Sequence, residues 1–250
     1  MDNYKIYWRN FNNFSESDWT SCAVLFSGHY GVWGSAAGPD VEGKKVRLTA
    51  HNLRDYLRAP ESWAALAFLD DKLIGYALSQ RLHVRDKGFV TWVTQFVVHS
   101  GHRQKGLGTR LLRAIWSQSN QYAWGLVTAN PFAVRALEKA TLRYCDPTRI
   151  RNSWPQLHEI CDPYLKYVKQ AADILKSTTT ALDTKFPLDH SGTYESLEIL
   201  NKNGYKWLLG DIGDSEEWVA FTFGDQDFSK DALSHVQDWI IDCDHTVRDA

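Results

Sequence analysis

Apolar positions change their spacing repeatedly along the chain, and each change marks an element. Residues 4–8 (YKIYW) are aromatic and β-branched without a breaker, which predicts a first strand. Ser15–Leu25 predicts a helix, with Ser15 or Ser17 as N-cap and Glu16 and Asp18 in its first turn. Gly28–Gly43 holds Gly31, Gly34, Gly38 and Pro39 besides its end residues, too many for regular structure, so a loop is expected there. Thr49–Arg58 predicts a helix that stops before Pro60. Strands follow at Trp63–Leu69 and Leu73–Leu82, joined by the polar turn Asp70-Asp71-Lys72. Phe89–Val98 (FVTWVTQFVV) has the strongest strand composition. Its early alternation passes into a continuous apolar end, as in a strand covered on both faces.

A helix follows, because Leu107, Leu111, Leu112, Ile115 and Trp116 share one face. Ala123–Thr128 predicts another strand, and Asn130-Pro131 starts a helix running to Leu142, with proline at its favoured first position. Beyond Asp146 the pattern loosens. Pro155–Leu175 is expected to be helical with an interruption at Pro163, and Lys176–Gly192 to be a connection. Tyr194–Asn203 predicts an amphipathic helix closed by Gly204. Tyr205–Leu209 and Glu217–Phe223 are expected to pair as a hairpin, and Ala232–Ile241 to form a last short helix. Strands interleaved with helices place the chain in the α/β class.

Composition narrows the class. With 44% hydrophobic and 23% charged residues over 250 positions, the chain is neither disordered nor fibrous. No apolar run reaches the roughly 18–20 residues of a membrane span, so no membrane partner is expected. Asp2, Lys5 and Arg9 deny the N-terminus the apolar centre of a signal peptide, and a cytoplasmic location is expected. Cys22, Cys145, Cys161 and Cys243 lie far apart, without zinc-type spacing; they read as reduced thiols, and no metal site is expected.

Charge is split unevenly. Residues 1–150 hold 19 Lys and Arg against 12 Asp and Glu, whereas residues 151–250 hold 9 against 18. One half therefore suits an anionic partner and the other a cationic one, two solvated faces being the plainer explanation. Nucleic-acid binding by the positive half has only charge behind it, with no aromatic-basic motif, and is not expected.

The most informative stretch is Arg103-Gln104-Lys105-Gly106-Leu107-Gly108, between the strongest strand and a helix. Glycines let backbone N–H groups converge, and the helix start adds the positive end of its dipole, which makes a phosphate site. A nucleoside-triphosphate loop fails here: Gly101 and Gly106 have its spacing, but Leu107 and Gly108 stand where lysine and Ser/Thr are required. A dinucleotide loop would need a small residue where Leu111 stands. The pattern [QR]-x-x-G-x-[GA] after a strand fits at every specified position.

Through Gln95–Leu112, and through the asparagine-led helix Asn130-Pro-Phe-Ala-Val-Arg-Ala-Leu-Glu-Lys139, the sequence resembles the GNAT superfamily of acyl-CoA-dependent N-acyltransferases. The order of elements from residue 4 to about 142 also follows that family. The resemblance implies a mixed, centrally splayed β-sheet flanked by helices, with acetyl-CoA as acyl donor. It implies pyrophosphate on the amides of Arg103, Gln104, Lys105, Gly106, Leu107, Gly108 and Thr109. The pantetheine arm would lie along Phe96, Val97 and Val98 and touch Asn130. A substrate amine would then attack the thioester directly, its carbonyl polarised by a backbone N–H near Val98.

The resemblance has gaps. Many family members carry a carboxylate base on the strand before the loop; Thr91-Trp-Val-Thr-Gln95 has none. Many also carry a tyrosine acid in the later helix, where this chain has Leu137. Gln95, Tyr144 and His29 are the remaining catalytic candidates, along with an acidic residue from the C-terminal region. His99 and His102 flank the loop as its surface or as phosphate neighbours. Tyr30, Trp33 and Trp92 are candidates for an aromatic wall around a cationic substrate, although packing also explains such rings.

Residues 1–145 are therefore read as an acyl-CoA-binding core, 146–192 as a mostly helical insertion, and 193–250 as a helix and hairpin completing the sheet or forming a separate C-terminal domain. The expected activity is acetyl transfer to a primary amine of a small cationic molecule or a protein. The alternative is an acyl-CoA-binding sensor or scaffold with little catalysis.

Overall fold

The computed structural model describes residues 4–55, 57, 61–116, 121–161, 178–229 and 246–248. Its strands are β1 (Lys5–Asn10), β2 (Ser62–Leu69), β3 (Lys72–Val84), β4 (Gly88–Val98), β5 (Ala123–Thr128), β6 (Ala181–Asp183), β7 (Glu216–Phe223) and β8 (Thr246–Arg248). They form one mixed sheet in the order β6-β7-β5-β4-β3-β2-β1-β8. Pairing is antiparallel from β1 to β4 and again across β5, β7 and β6. The central β4–β5 pair is parallel, as is β1–β8 at the far edge. A parallel pair needs a crossover connection, and the helix after the glycine loop supplies it.

The helices are α1 (Glu16–His29), α2 (Ala50–Asp55), α3 (Leu107–Trp116), α4 (Pro131–Thr141), α5 (Pro147–Cys161) and α6 (Ser191–Lys202). Ser15, not Ser17, caps α1: its side chain accepts from Asp18 N–H while the Asp18 carboxylate accepts from Ser15 N–H. The two faces of the sheet separate by the period of two along β2. Ala64 and Leu66 pack with Trp19, Cys22 and Phe26 of α1, while Ala65 and Ala67 join the cluster of Leu107, Leu111 and Leu112 from α3. Burial holds Cys22 and Cys145 as thiols by raising their pKa, so neither is a ready nucleophile.

The expected splay is present, and a bulge accompanies it. β4 and β5 pair only from Val90↔Ala123 to Val93↔Leu126. There the β3–β4 register slips, with Ser79 opposite Val93 and Leu78 opposite Gln95, leaving Thr94 as the additional residue. Its hydroxyl donates to the Leu78 carbonyl at 3.3 Å. A bulge bends its strand and sharpens the local twist, which carries the end of β4 away from β5. Thr94–Val98 and Val127–Ala129 then face one another across a gap rather than a ladder.

The C-terminal segment departs from expectation in two places. Tyr205–Leu209 is not a strand; the strand beside β7 is β6, within the stretch read as a connection. The reason is local: Gly210, at φ 77°, turns the chain, and its carbonyl accepts the indole N–H groups of both Trp207 and Trp218 at 2.9 Å. The helix expected from Pro155 begins at Pro147, where the Asp146 side chain accepts from Thr148 and Arg149 N–H and supplies the cap. Pro155 lies inside that helix. Pro163 and the helix expected at 232–241 lie outside the described residues. β7 runs antiparallel to β5 along its whole length, from Ala123↔Phe223 to Thr128↔Trp218.

Gly125 of β5 lies opposite Phe221, and a Cβ there would fall 2.3 Å from the ring. The glycine lets the phenylalanine lie across the strand. Gly125→Ala is expected to lower stability by about 1–3 kcal/mol through overpacking. Urea unfolding of the variant beside wild type measures it.

Candidate active site

The glycine loop is built from alternating backbone hands. Ser100–His102 make one 3₁₀ turn. Gln104 (φ 59°) and Gly106 (φ 81°) are left-handed, and α3 then starts with Arg110 N–H bonding the Gly106 carbonyl at 3.2 Å. Leu107 turns its side chain into the core and is 1% exposed. A Cβ on Gly108 would meet the Phe96 ring at 3.0 Å and Ala136 at 3.7 Å, so this glycine keeps the loop close to β4 and α4. Arg103 ties the assembly together: its Nε donates to the Val98 carbonyl at 3.1 Å, and its Nη2 to the His29 carbonyl at the end of α1.

Above this loop the parted strands open a cleft of about 920 Å³. Of the residues expected to bind the cofactor, Phe96, Val97, Val98, Arg103, Gln104, Gly106, Gly108, Thr109 and Asn130 line it. The side chains of Lys105 and Leu107 do not. Asn130 caps α4 by accepting from Phe132 N–H at 3.0 Å, which leaves its amide N–H₂ as a donor. Gln95 also lines the cleft, and its Oε1 is buried without a hydrogen-bond partner. Tyr144 does not line it.

The aromatic wall is corrected in two of its three members. Tyr30 lines the cleft, stacked on Phe26 at 4.2 Å. Trp92 is fully buried between Phe221 (5.0 Å) and Trp154 (6.4 Å), because it shares a row with Gly125 and Phe221 in the sheet; it is core. Trp33 packs on Phe186 at 4.8 Å and borders a separate hollow with Lys44, Lys45 and Arg47.

His29 lines the cleft, its ring 3.9 Å from that of His99. Burial lowers its pKa, with His99, Arg103 and Lys45 adding to the effect, so the ring is neutral at pH 7. Its Nδ1 faces the Ser100 N–H at 3.3 Å and the Ser100 hydroxyl at 3.2 Å. The lone pair of a would-be base is already engaged there.

A second set of polar groups lines the cleft from the C-terminal segment. Glu217, at the start of β7, is 6% exposed, and burial raises its carboxyl to about 7 against the opposing pull of the Thr184 hydroxyl and Ala129 N–H. His190, just ahead of α6, is 7% exposed, and beyond the neighbouring Gly213 backbone neither ring nitrogen has a hydrogen-bond partner. Thr193 links the two positions: its N–H donates to the His190 carbonyl and its hydroxyl to the Ala129 carbonyl, each at 2.9 Å. The sequence held a signal for Glu217, since period two puts it on one face of β7 with Val219, Phe221 and Phe223. His190 carried no such signal.

Other titratable neighbours are already committed. The buried Glu138 carboxylate accepts from Arg135 (3.2 Å), Tyr205 (2.7 Å) and Cys145 N–H (2.9 Å). Asp189 accepts from both the N–H and the hydroxyl of Ser191, which holds its carboxyl below the usual range. Among the described residues no group of three His, Cys, Asp or Glu side chains is placed to hold a metal ion, and no helix is long and apolar enough to cross a membrane.

A mixed sheet parted along its parallel pair, over a glycine loop that opens a helix, defines a class: α/β proteins able to seat an extended, anion-bearing ligand between two strands. Residues 26–140, just under half of the chain, match the acetyltransferase (GNAT) family. That match shows an acetyltransferase (GNAT) segment at residues 26–140, which holds the glycine loop, α3 and the parallel β4–β5 pair. Solved structures similar to it include a GNAT acetyltransferase from Streptococcus pneumoniae (17% identity, 54% of this chain and 83% of that one, TM-score 0.37). Another is the ribosomal-protein-S18-alanine N-acetyltransferase of Escherichia coli (12%, 53% and 74%, TM-score 0.38). A third is an aminoglycoside acetyltransferase from an uncultured soil metagenomic sample (16%, 46% and 68%, TM-score 0.31). Comparison with curated proteins found no match.

Proposed function

We propose that this protein transfers the acetyl group of acetyl-CoA to a primary amine of a cationic small molecule or protein in the cytoplasm. The observation that carries the reading is the end of the β4–β5 ladder at Val93 and Leu126, directly above the glycine loop. The backbone amides of Arg103–Thr109 and the start of α3 would hold the pyrophosphate. The edge of β4 at Phe96–Val98 and the Asn130 side chain would hold the pantetheine arm. Gln95, with its buried Oε1 lacking a partner, and the close approach of the loop to Phe96 that Gly108 permits suit such a ligand.

Acetyl-CoA supplies a thioester carbon open to attack by an amine. The chain's own task is to orient that carbon, keep water from it and manage the proton of the amine. An alkylammonium with a pKa of about 10 cannot attack until it loses that proton.

The cationic acceptor is supported by the charges of the cleft, which divide by chain half. Arg103, Arg135 and Lys139 line it from the basic half, and its two carboxylates, Asp189 and Glu217, come from the acidic half. An anionic donor and a cationic acceptor meeting in one cleft match that division.

Thermal unfolding with acetyl-CoA and with CoA tests the reading. At a ligand concentration of about 100 Kd the native state is expected to gain about 2.7 kcal/mol, a rise of several degrees. Thiol release with a panel of amines follows. No rise with either ligand would overturn the reading, and a rise without thiol release would favour the sensor.

A further inference from the structure

We propose that the buried pair Glu217 and His190 forms the seat of the acceptor amine, with Glu217 taking the proton that the amine must lose. This rests on the acetyl-transfer reading and adds the residue that the β4 sequence lacks.

Thr91–Gln95 of β4 holds no carboxylate. In the cleft, the His29 lone pair is engaged by Ser100 and the Asp189 oxygens by Ser191. Glu138, beneath the cleft, is held by three donors. Glu217 remains. It sits level with Ala129, one residue beyond the Thr128↔Trp218 pair, at the end of β5 where the strands have parted. The Thr184 hydroxyl and the Ala129 N–H lie beside the carboxylate and favour its charged form.

His190 supplies the second observation. Its imidazole is buried, and beyond the neighbouring Gly213 backbone its ring nitrogens have no hydrogen-bond partner. A ligand in the cleft would satisfy it. The Thr193 bridge to Ala129 holds the imidazole and the carboxylate in a single frame.

An incoming ammonium gives one proton to the Glu217 carboxylate, and its freed nitrogen pair forms the C–N bond to the thioester carbon. The C–S bond breaks, and the departing thiolate takes the second proton from the nitrogen. Glu217 returns its proton to solvent as the products leave. The surrounding charged and titratable groups are His190, Asp189 and Asp214 on the same side, Asp183 of β6 beside Lys185, and Arg135 and Lys139 of α4. Burial, rather than any of these charges, dominates the carboxyl's pKa of about 7. The carboxylate form is therefore populated where a base must work.

The experiment compares wild type, Glu217→Gln and His190→Leu in thiol release from acetyl-CoA. The acceptors are n-butylamine, spermine and a lysine-containing peptide, each across pH, with acetyl-CoA affinity measured alongside by calorimetry. In wild type the rate is expected to rise with pH through about 7. Glu217→Gln should bind acetyl-CoA as wild type does, lose at least ~100-fold in rate and lose that rise. His190→Leu should raise KM for the amine and keep the rise. Infrared difference spectra should show a protonated-carboxyl band that wild type loses as pH passes through about 7 and that Glu217→Gln lacks. Should Glu217→Gln fail to fold, Glu217→Asp decides: a large fall in rate supports the seat and an unchanged rate overturns it. A Glu217→Gln enzyme with wild-type rate and profile overturns it, as does a wild type that binds acetyl-CoA and turns over none of these amines. Failure of wild type to bind acetyl-CoA would instead overturn the reading beneath it.

Discussion

Gly108→Trp is expected to abolish acetyl-CoA binding while the sheet and core stay folded. The Cβ alone would stand 3.0 Å from the Phe96 ring, and the indole beyond it must occupy the space between the loop, Phe96 and Ala136. That space belongs to the cleft over the first turn of α3. A filled cradle denies an incoming phosphate both the converging amides and the helix start. A loss of at least ~100-fold in affinity corresponds to the ~2.7 kcal/mol or more that several such contacts supply together. The measurement is calorimetric titration with acetyl-CoA, with the ligand-free melting curve as the check on folding. Binding within a few-fold of wild type would place the ligand elsewhere.

Glu217→Gln is expected to make the free protein more stable above neutral pH. The ordinary carboxyl value of 4.5 is raised to about 7 in the folded chain by burial. Between those values the native state keeps a proton that the unfolded chain has released, so wild-type stability falls as pH rises through the window. Below about 4.5 both states hold the proton and the penalty is absent. Above about 7 it is complete, at about 3 kcal/mol for a shift of this size. Glutamine cannot ionise and can still accept from the Thr184 hydroxyl and Ala129 N–H. The variant should therefore gain up to about 3 kcal/mol over wild type at pH 8 and match it near pH 4. Equal denaturation midpoints at both pH values would show a carboxyl that titrates normally.

The legible and the hidden parts of the molecule divide by the distance over which their causes act. The strand at Phe89–Val98, the glycine loop and the helix from Leu107 are specified by neighbouring residues, and they fold where the sequence places them. So does the Asn130 cap. β6 was hidden because three residues carry little periodicity, and its pairing depends on where Gly210 turns the chain. Trp92 could not be assigned from sequence, since only the sheet order reveals that Gly125 and Phe221 lie beside it. The bulge at Thr94 depends on the register with β3, which no local pattern states. Glu217 was half legible: its strand and face could be read, but its place in the cleft required knowing that β7 adjoins β5.

That adjacency separates the family segment from the folding unit. Residues 26–140 contain β5 but neither of the strands beyond it. Cut at that boundary, β5 would become an open edge of six residues, with its backbone donors and acceptors bare and a glycine at its middle where Phe221 now lies. Open edges of that kind invite pairing with other chains. The C-terminal segment thus acts as the seal of the sheet, and the same strand that closes the edge brings Glu217 to the cleft.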